Sequence, residues 1–462
     1  MNANRGMGVD LPKRVILDIP DGGAKPVRLP RWWKEIQDVA WVDYERLPMP
    51  SRKDERWRFT DLGKLALSGY TVSTSVPQGT RGELQNFFRG GRAPGLLFAN
   101  DSLLFSEPLS LEAKRKGVLL APLLDAAADA PDLLKSWLFQ ERVALGAEKL
   151  ETLHRACATA GAFLYVPAGV EMEQHVDLSF WLTEGNAATF PHVLVVLQEN
   201  ARARIHLRFG STNSCGGFAC SVQELFLGAG AQLELFTRRN WAEGTCSFDL
   251  ASVRLARDAT ATTFQFNQGG GYTRTESRSR LLGPGARSVM LSATVARDRQ
   301  EFDQRSFQEH AAPNTKSDLL YKNALYDSSR TIFAGMIDVD PGARQTDAYQ
   351  SNRNLLLSPD AEANALPGLE ILANDVRCTH GATIGQIDPE ELFYCLQRGI
   401  PLPAAQRLFV LGFLTDVIDR ISDADARRSL AEEIDSSLND KVVPGSSLPS
   451  SLRRTSLLPP AQ

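Results

Sequence analysis

The feature that most constrains this fold is a turn that recurs at nearly constant spacing through the middle of the chain. Two turn-forming residues precede an Ala or Thr at positions 201, 231, 259, 286, 315 and 343, so successive turns lie 27 to 30 residues apart. A further turn, Pro359-Asp360-Ala361, follows after 18 residues. A repeat of this length, made of short strands and turns, is typical of a β-solenoid, in which each coil packs on its neighbours.

The segments between these turns have the character of strands. They are short, alternate in polarity and are rich in β-branched and aromatic residues, as in FLYVPAGV, VDLSFWL, HVLVVLQ, RIHLRF, LELFTRR and TTFQFNQ. No helix-length periodic segment lies among them, which disfavours α-solenoids and βαβ folds. A large antiparallel sandwich with evenly spaced hairpins is the alternative. The spacing favours a mainly β chain with a β-helix core over residues 158–387.

The residues before this core have a mainly helical pattern, which predicts an N-terminal helical domain over residues 31–157. Within it, apolar residues at near-helical spacing predict a helix over Ser136–Leu153. Residues 1–30 are interrupted by Gly and Pro and are expected to form a flexible arm.

Helix signals return after the last turn and predict a C-terminal helical domain over residues 388–440. Asp388 followed by Pro389 is a helix start, and Gly399 ends that helix. A second helix from about Pro403 to Ile421 is apolar around more than one stripe, so it needs cover on two sides. Either a third helix, Asp423 to about Leu438, or a partner protein could cover the second side. Residues 441–462 are rich in Ser, Pro and Leu and are expected to be disordered.

The composition bounds the function. Lys and Arg total 51 against 55 Asp and Glu, so the chain lacks the basic excess of a nucleic-acid binder. It has no run of 18 apolar residues to cross a membrane and no secretory leader pattern, and its six cysteines form no CxxC pair. We therefore expect a cytoplasmic protein with reduced thiols. Five cysteines receive no role and are structural by default: Cys157, Cys215, Cys220, Cys246 and Cys395.

Common catalytic motifs are absent from the sequence. There is no P-loop, HExxH, GxSxG or dinucleotide-binding glycine motif, so we expect neither ATP hydrolysis nor other enzymatic activity from this chain itself. Gly269–Gly271 lies between strand patterns and is interpreted as a hairpin turn.

One pair of residues has metal-binding character. On a strand, Cys378 and His380 would point to the same face, and a thiolate with an imidazole suits zinc or iron. Arg377 could favour the thiolate electrostatically. Two ligands do not close a site, so a partner or the fold would have to supply the rest. The alternative is a buried thiol beside a histidine. The other five histidines are isolated and are interpreted as structural or surface residues.

A pair of acids offers a different function. Asp338 and Asp340 have the i,i+2 spacing that polysaccharide-cleaving β-solenoids use for general acid and base catalysis. Beside a Pro-Gly turn, two solvated acids are the simpler interpretation.

Four segments resemble the SufB/SufD family of iron–sulfur cluster assembly proteins. They are RCTHGATIGQIDPEELFYCLQRGI from Arg377, the segment from Ser317 to Ser358, GAFLYVPAGVEME from Gly161, and MPSRKDERWRFTDLGKL from Met49. The Cys-x-His-Gly-Ala-Thr and ERWRFTDL motifs are similar to the SufD branch. The SufB branch tends to have an N-terminal cysteine cluster, whereas the first cysteine here is Cys157.

The resemblance implies a right-handed parallel β-helix between two helical domains. It also implies a non-ATPase scaffold subunit of a SufBCD-type complex, in which the SufC ATPase alone binds ATP and shifts the paired solenoids. A transient iron–sulfur cluster would form at the SufB interface, with His380 as ligand and Cys378 matching the family cysteine. Whether a flavin binds is left open. The C-terminal helices would dock SufC through apolar residues of the second helix: Leu408, Phe409, Leu411, Phe413 and Leu414. A pure interaction module for the ATPase is the alternative.

Overall fold

The computed structural model of the chain describes residues 29–65, 69–72, 75–89, 93–212 and 216–439. The arm predicted at residues 1–30 lies outside this range up to residue 28, and so does the tail predicted at 441–462. Within the described residues, no helix combines the length and apolarity needed to cross a bilayer.

Helices occupy both ends of the described chain. They are α1 Arg31–Arg46, α2 Gln78–Arg89, α3 Leu111–Arg115, α4 Leu123–Asp129, α5 Pro131–Trp137, α6 Glu148–Cys157, α7 Pro389–Gln397, α8 Leu402–Ile418 and α9 Ala424–Asn439, with 3-10 turns at Glu55–Trp57 and Leu62–Lys64.

Strands fill the region between the helices. They are β1 Thr71–Val72, β2 Gly95–Ala99, β3 Ser102–Glu107, β4 Leu119–Pro122, β5 Gly161–Val166, β6 Val176–Leu182, β7 Ala187–Thr189, β8 His192–Leu197, β9 Arg202–Ser211, β10 Phe218–Leu227, β11 Gln232–Trp241, β12 Cys246–Leu255, β13 Thr260–Gly269, β14 Tyr272–Leu281, β15 Arg287–Ala296, β16 Glu301–His310, β17 Lys316–Leu325, β18 Arg330–Val339, β19 Asp347–Leu356, β20 Glu362–Ile371 and β21 Arg377–Gly385.

The strands form a two-sheet solenoid, which confirms the predicted fold class. From β8 onward the chain alternates between two parallel sheets, one ordered β8-β10-β12-β14-β16-β18-β20 and the other β9-β11-β13-β15-β17-β19-β21. Each long strand pairs in register with the strand one coil later, as in Gln232↔Thr260. One coil is therefore two strands and two turns, which accounts for the repeat in the sequence.

The recurring turns stack into a column along one corner. Their second residues adopt the left-handed conformation, with φ between 57° and 76°, at Asn200, Gly230, Asp258, Gly285 and Asn314. Asn, Asp and Gly tolerate this conformation best. The following residues are fully buried at positions 201, 231, 259, 286, 315 and 343. Backbone bonds link successive turns, such as Asn200 N–H to Ala229 O at 2.8 Å. The small third residue is thus required by stacking at the roughly 4.8 Å strand spacing.

The solenoid interior changes character along its axis. Its N-terminal coils are filled by an apolar cluster that includes Leu164, Val195 and Leu235. Towards the C-terminus the inward side chains are amides and hydroxyls: Asn323 Nδ2 donates to Gln304 Oε1 at 3.2 Å and to Asn354 Oδ1 at 2.8 Å. The core of the last coils is therefore held by a buried polar network, which requires its members to be hydrogen-bonded.

Two sequence-based predictions about local structure were wrong. The helix predicted over Ser136–Leu153 is broken, because residues between α5 and α6 run extended and donate backbone N–H groups to carboxylates of the solenoid. Glu224 accepts from the N–H groups of Phe139 and Glu141, both at 2.7 Å. Gly269–Gly271 is a corner rather than a hairpin turn, since β13 and β14 belong to different sheets.

The C-terminal helices follow the predicted pattern. Asp388 caps α7 by accepting the Glu390 N–H at 2.8 Å, and Gly399 has φ of 77° after the helix ends. The α8 and α9 helices pack on each other and on the outer face of β13, β15 and β17. The chain itself therefore covers both buried sides of α8.

The two ends of the solenoid differ. At the N-terminal end, β3 and β4 run antiparallel to their neighbours and terminate the sheets. Leu109 and Val118, on either side of α3, pack into the interior cluster there. At the C-terminal end, β20 and β21 are the last strands of their sheets, and within the described residues no further strand pairs with either.

Candidate functional site

The candidate site lies at this open C-terminal end. The residues of β21 are exposed except Cys378 and Gly381, which are half-buried. Large apolar side chains are exposed around the same end: Tyr349 and Ile371 at 39%, Ile384 at 51% and Leu372 at 58%. An exposed apolar surface beside unpaired strand edges is a site for protein association.

Cys378 and His380 both lie on β21, as expected from the sequence, which places them on a strand. Their in-register neighbours are Ala348 and Gln350, both fully or almost fully buried, so the two functional side chains share the inward face of the last coil. Cys378 packs against an apolar cluster containing Ile337, Val339 and Ala343. His380 is exposed. The Cys378 thiol is thus packed against the core, whereas the His380 imidazole faces solvent.

Gln350 places an unsatisfied polar group beneath this face. It is fully buried, and neither its Oε1 nor its Nε2 has a hydrogen-bond partner within the described residues. An ideal Cβ on Gly335 would lie 2.4 Å from Gln350 Oε1, so the amide rests on a glycine backbone that no larger residue could offer. Side chains on parallel neighbouring strands stack about 4.8 Å apart, which puts this amide next to His380.

The thiol at this site is less acidic than expected. Burial raises the pKa of Cys378, the Asp347 carboxylate adds to the increase, and the Ala348 N–H only partly opposes it. The expectation that Arg377 favours the thiolate is therefore wrong for this chain alone, because desolvation dominates. A metal or a partner's charges would have to draw the proton off.

The apolar residues predicted to bind a partner have different environments. Leu408 is 55% exposed, and Phe409 is half-buried. Leu411 and Phe413 pack partly against the cluster beneath α8, and Leu414 is fully buried in it. Leu414 contacts its own chain, which corrects its assignment to a partner surface. Exposed apolar residues instead continue onto α7 and the start of α8, with 40 to 59% of each exposed: Phe393, Tyr394, Leu396, Leu402 and Leu408.

The acids considered for a hydrolase lie on the other sheet. Asp338 stands in register between Glu309 and Glu370. Burial, followed by the charges of Asp340, Glu370 and Glu309, raises its pKa. This row of like charges sits on an outer strand face beside the turn, with Glu309 and Asp338 half-buried and Glu370 exposed.

Two family models cover most of the chain. The model described as "SUF system FeS cluster assembly, SufBD core domain" matches residues 180–413, and "SufBD protein N-terminal region" matches residues 30–178. The chain belongs to the SufBD family. The core match includes the whole open end with Cys378 and His380.

Proteins similar to this SufBD chain carry iron–sulfur assembly names. The chain is 27% identical to "Iron-sulfur cluster assembly protein SufD" of Bacillus subtilis over 88% of its own length and 94% of that protein. It is also 27% identical to the Escherichia coli protein of the same name, over 84% and 89% of the two chains. The resemblance stated from the motifs is therefore confirmed, including its SufD character.

The remaining thiols of this SufBD chain are consistent with structural roles. Cys220 and Cys246 are buried, and desolvation raises the pKa of Cys157 and Cys220 and raises that of Cys246 to about 12. Cys395 lies on α7, half-buried. Cys215 lies outside the described residues.

Sequence reasoning missed two groups of interacting histidines. His154 Nε2 lies 3.1 Å from His192 Nδ1, and His192 Nε2 lies 3.1 Å from Glu224, all three buried between α6 and the solenoid. His175, Asp177 and His206 gather at the other sheet. A repeat-based search could have found the second group, since Asp177 and His206 pair in register one coil apart.

Proposed function

We propose that this chain is a non-ATPase scaffold subunit that assembles iron–sulfur clusters together with a SufB-type partner and a SufC-type ATPase. The observation that carries the proposal is the position of Cys378 and His380 on β21, the last strand at an open solenoid end. A thiol and an imidazole are ligands that iron accepts.

The shortage of ligands supports a site shared between chains. Iron in a cluster takes about four ligands, and this face offers one sulfur and one nitrogen. The exposed edges of β20 and β21 can hydrogen-bond to another solenoid, and the apolar rim including Leu372 and Ile384 would be buried on contact. The SufB-type partner would supply the missing donors, a cysteine among them.

The cluster is cargo in this proposal, and this chain's residues hold it only transiently. His380 would ligate through a ring nitrogen, with the buried Gln350 amide positioned to fix the imidazole. Cys378 would lose its proton as iron binds, because its thiol is not ionised by this chain alone. The work of ATP hydrolysis belongs to the partner, and the cytoplasm is the proposed location.

The ATPase would dock on the exposed apolar surface of α7 and the start of α8. Phe393 and Tyr394 are each more than half exposed, and Leu408 continues the same apolar character on α8. A contiguous apolar patch on a free chain marks a protein interface. Binding there would let nucleotide-driven motion of the ATPase reach the solenoid through α8, which packs on β15 and β17.

The test is cluster assembly by the co-purified complex. His380→Ala should leave the three proteins associated but abolish iron and sulfide retention, because a ligand is lost. Thr379→Ala is the matched control, since Thr379 is also exposed but lies on the opposite face of β21. Normal iron and sulfide in the His380 variant would refute the ligand role and favour a pure interaction module.

A second variant tests docking. Leu408→Asp should release the ATPase, because a charge would be buried at the contact. This chain should remain bound to the SufB-type partner. Ala431→Asp places the same charge on an exposed position of α9 and should have no effect. Sugar turnover by the purified chain, lost on Asp338→Asn, would instead support the hydrolase hypothesis.

A further inference from the structure

His175, Asp177 and His206 converge on the outer face of the second sheet, far from the open end. Asp177 and His206 are in-register neighbours on β6 and β9, and His175 immediately precedes β6. Six strand steps separate β9 from β21, or about 29 Å at the usual strand spacing. These residues therefore form a group distinct from Cys378 and His380.

The three side chains have the separations of a ligand set. His175 Nε2 lies 3.6 Å from Asp177 Oδ2, and His206 Nδ1 lies 3.8 Å from Asp177 Oδ1. One ligand atom from each residue lies within 4.8 Å of the others. Ligand atoms about 2.1 Å from a tetrahedral metal are about 3.4 Å apart, so small side-chain adjustments would close this group around an ion.

Hydrogen bonds within the described residues do not account for the position of the His206 ring. Its Nε2 is buried without a partner among the described residues, and its Nδ1 is too far from Asp177 for a hydrogen bond. The His175 and His206 rings stack with centroids 4.0 Å apart. Nδ1 is the ring nitrogen nearest Asp177, so a metal shared by the two residues would bind at Nδ1 and would leave Nε2 as the N–H.

The surroundings suit an accessible ion. The His175 side chain is 32% exposed, so an ion can enter from solvent and keep an open coordination position. Arg208 Nη1 lies 3.1 Å from Asp177 Oδ1. Its charge orients the carboxylate but also competes with a cation, so this arginine should limit the affinity.

We propose that His175, Asp177 and His206 form a binding site for one divalent first-row transition metal. Two imidazoles and one carboxylate are the donor set of zinc and of non-haem iron(II), and nitrogen donors disfavour magnesium and calcium. The site belongs to this chain alone and needs no partner subunit. It is therefore independent of the cluster-assembly role proposed above.

The test is metal titration of the purified full chain. Cobalt(II) should bind one equivalent with a visible d–d spectrum, and zinc(II) should displace it. His206→Ala and Asp177→Asn should weaken binding at least 30-fold. His175→Gln alters a partly exposed side chain. It keeps the test valid if the variants of the less exposed Asp177 and His206 misfold. His380→Ala should bind cobalt like the parent, which separates this site from the open end.

Arg208→Gln distinguishes a metal site from an ion-pair network. Removing a positive charge close to the ion should tighten cobalt binding at least about 5-fold, whereas a purely structural network would gain nothing. Binding weaker than about 1 mM in the parent, or cobalt binding retained by His206→Ala and lost from His380→Ala, would overturn the inference.

Discussion

For two residues of this protein, Cys378 and His310, burial sets the direction of the pKa shift. Arg377 adjoins Cys378 in sequence, yet desolvation still leaves the pKa of that thiol above its ordinary value. The same balance applies to His310, which is fully enclosed inside the solenoid. Proximity of Arg377 in sequence was therefore a poor guide to the ionisation of Cys378.

Alkylation of Cys378 should report this raised pKa. Because the thiolate is the nucleophile, iodoacetamide should modify Cys378 slowly at pH 7–8 and faster as the pH rises beyond 9. Asp347→Asn removes a charge that raises the pKa and should shift the rate profile to lower pH. Peptide mass spectrometry would measure both profiles. An unchanged profile in the variant would contradict the electrostatic explanation.

His310 should make the fold sensitive to acid. Burial lowers its pKa to about 4, so its neutral form is favoured in the folded state. Its contribution to stability is complete above the unfolded value near 6.5 and is lost as the pH falls towards 4, about 2 kcal/mol by pH 5. His310→Gln should reduce the difference in urea stability between pH 7 and pH 5 by that amount. An equal difference in both proteins would count against this assignment.

At the scale of elements, the turn column is the part of the fold most sensitive to side-chain size. Ala231 is fully buried between the equivalent alanines of adjacent coils. Ala231→Leu should destabilise the protein by about 1–3 kcal/mol or more through overpacking. Gln232→Leu, at the exposed neighbouring position, is the control and should change stability by less than about 0.5 kcal/mol. Urea unfolding compares the two, and equal losses would refute the stacking argument.

The same elements show what sequence can and cannot predict. The coils were predictable because each turn carries its own signal, a residue that tolerates positive φ followed by a small one. Asp388 and Gly399 likewise mark their helix locally. The break after α5 was not predictable, because the carboxylate that captures Phe139 N–H comes from Glu224, 85 residues later in the chain. The Cys-x-His spacing predicted the placement of Cys378 and His380 on one face. The Gln350 amide could not be predicted, because the fold alone brings it beside them.

At the scale of the whole molecule, the proposed contact with the SufB-type partner can be tested at the open C-terminal end. Ile384 is about half exposed on the same face of β21 as Cys378 and His380. Ile384→Lys should leave the melting temperature of the free chain unchanged but weaken association with the SufB-type partner at least about tenfold, because an unpaired charge would be desolvated. Thr383→Lys, on the opposite face, is the control. Analytical ultracentrifugation would compare them, and equal affinities would contradict pairing through this end.

The difference between the two ends has a consequence for the size of the assembly proposed above. A solenoid with two free ends could add subunits indefinitely and form fibres, as head-to-tail contacts do when they fail to close. Here β3 and β4 pair antiparallel at one end and Leu109 and Val118 pack into the interior beside them, so among the described residues the parallel ladders are left open only at β20 and β21. Pairing through that end, as proposed, would use the free edges of both β20 and β21. The assembly would then stop at two solenoids at any concentration, which keeps its stoichiometry constant without a separate length-controlling component.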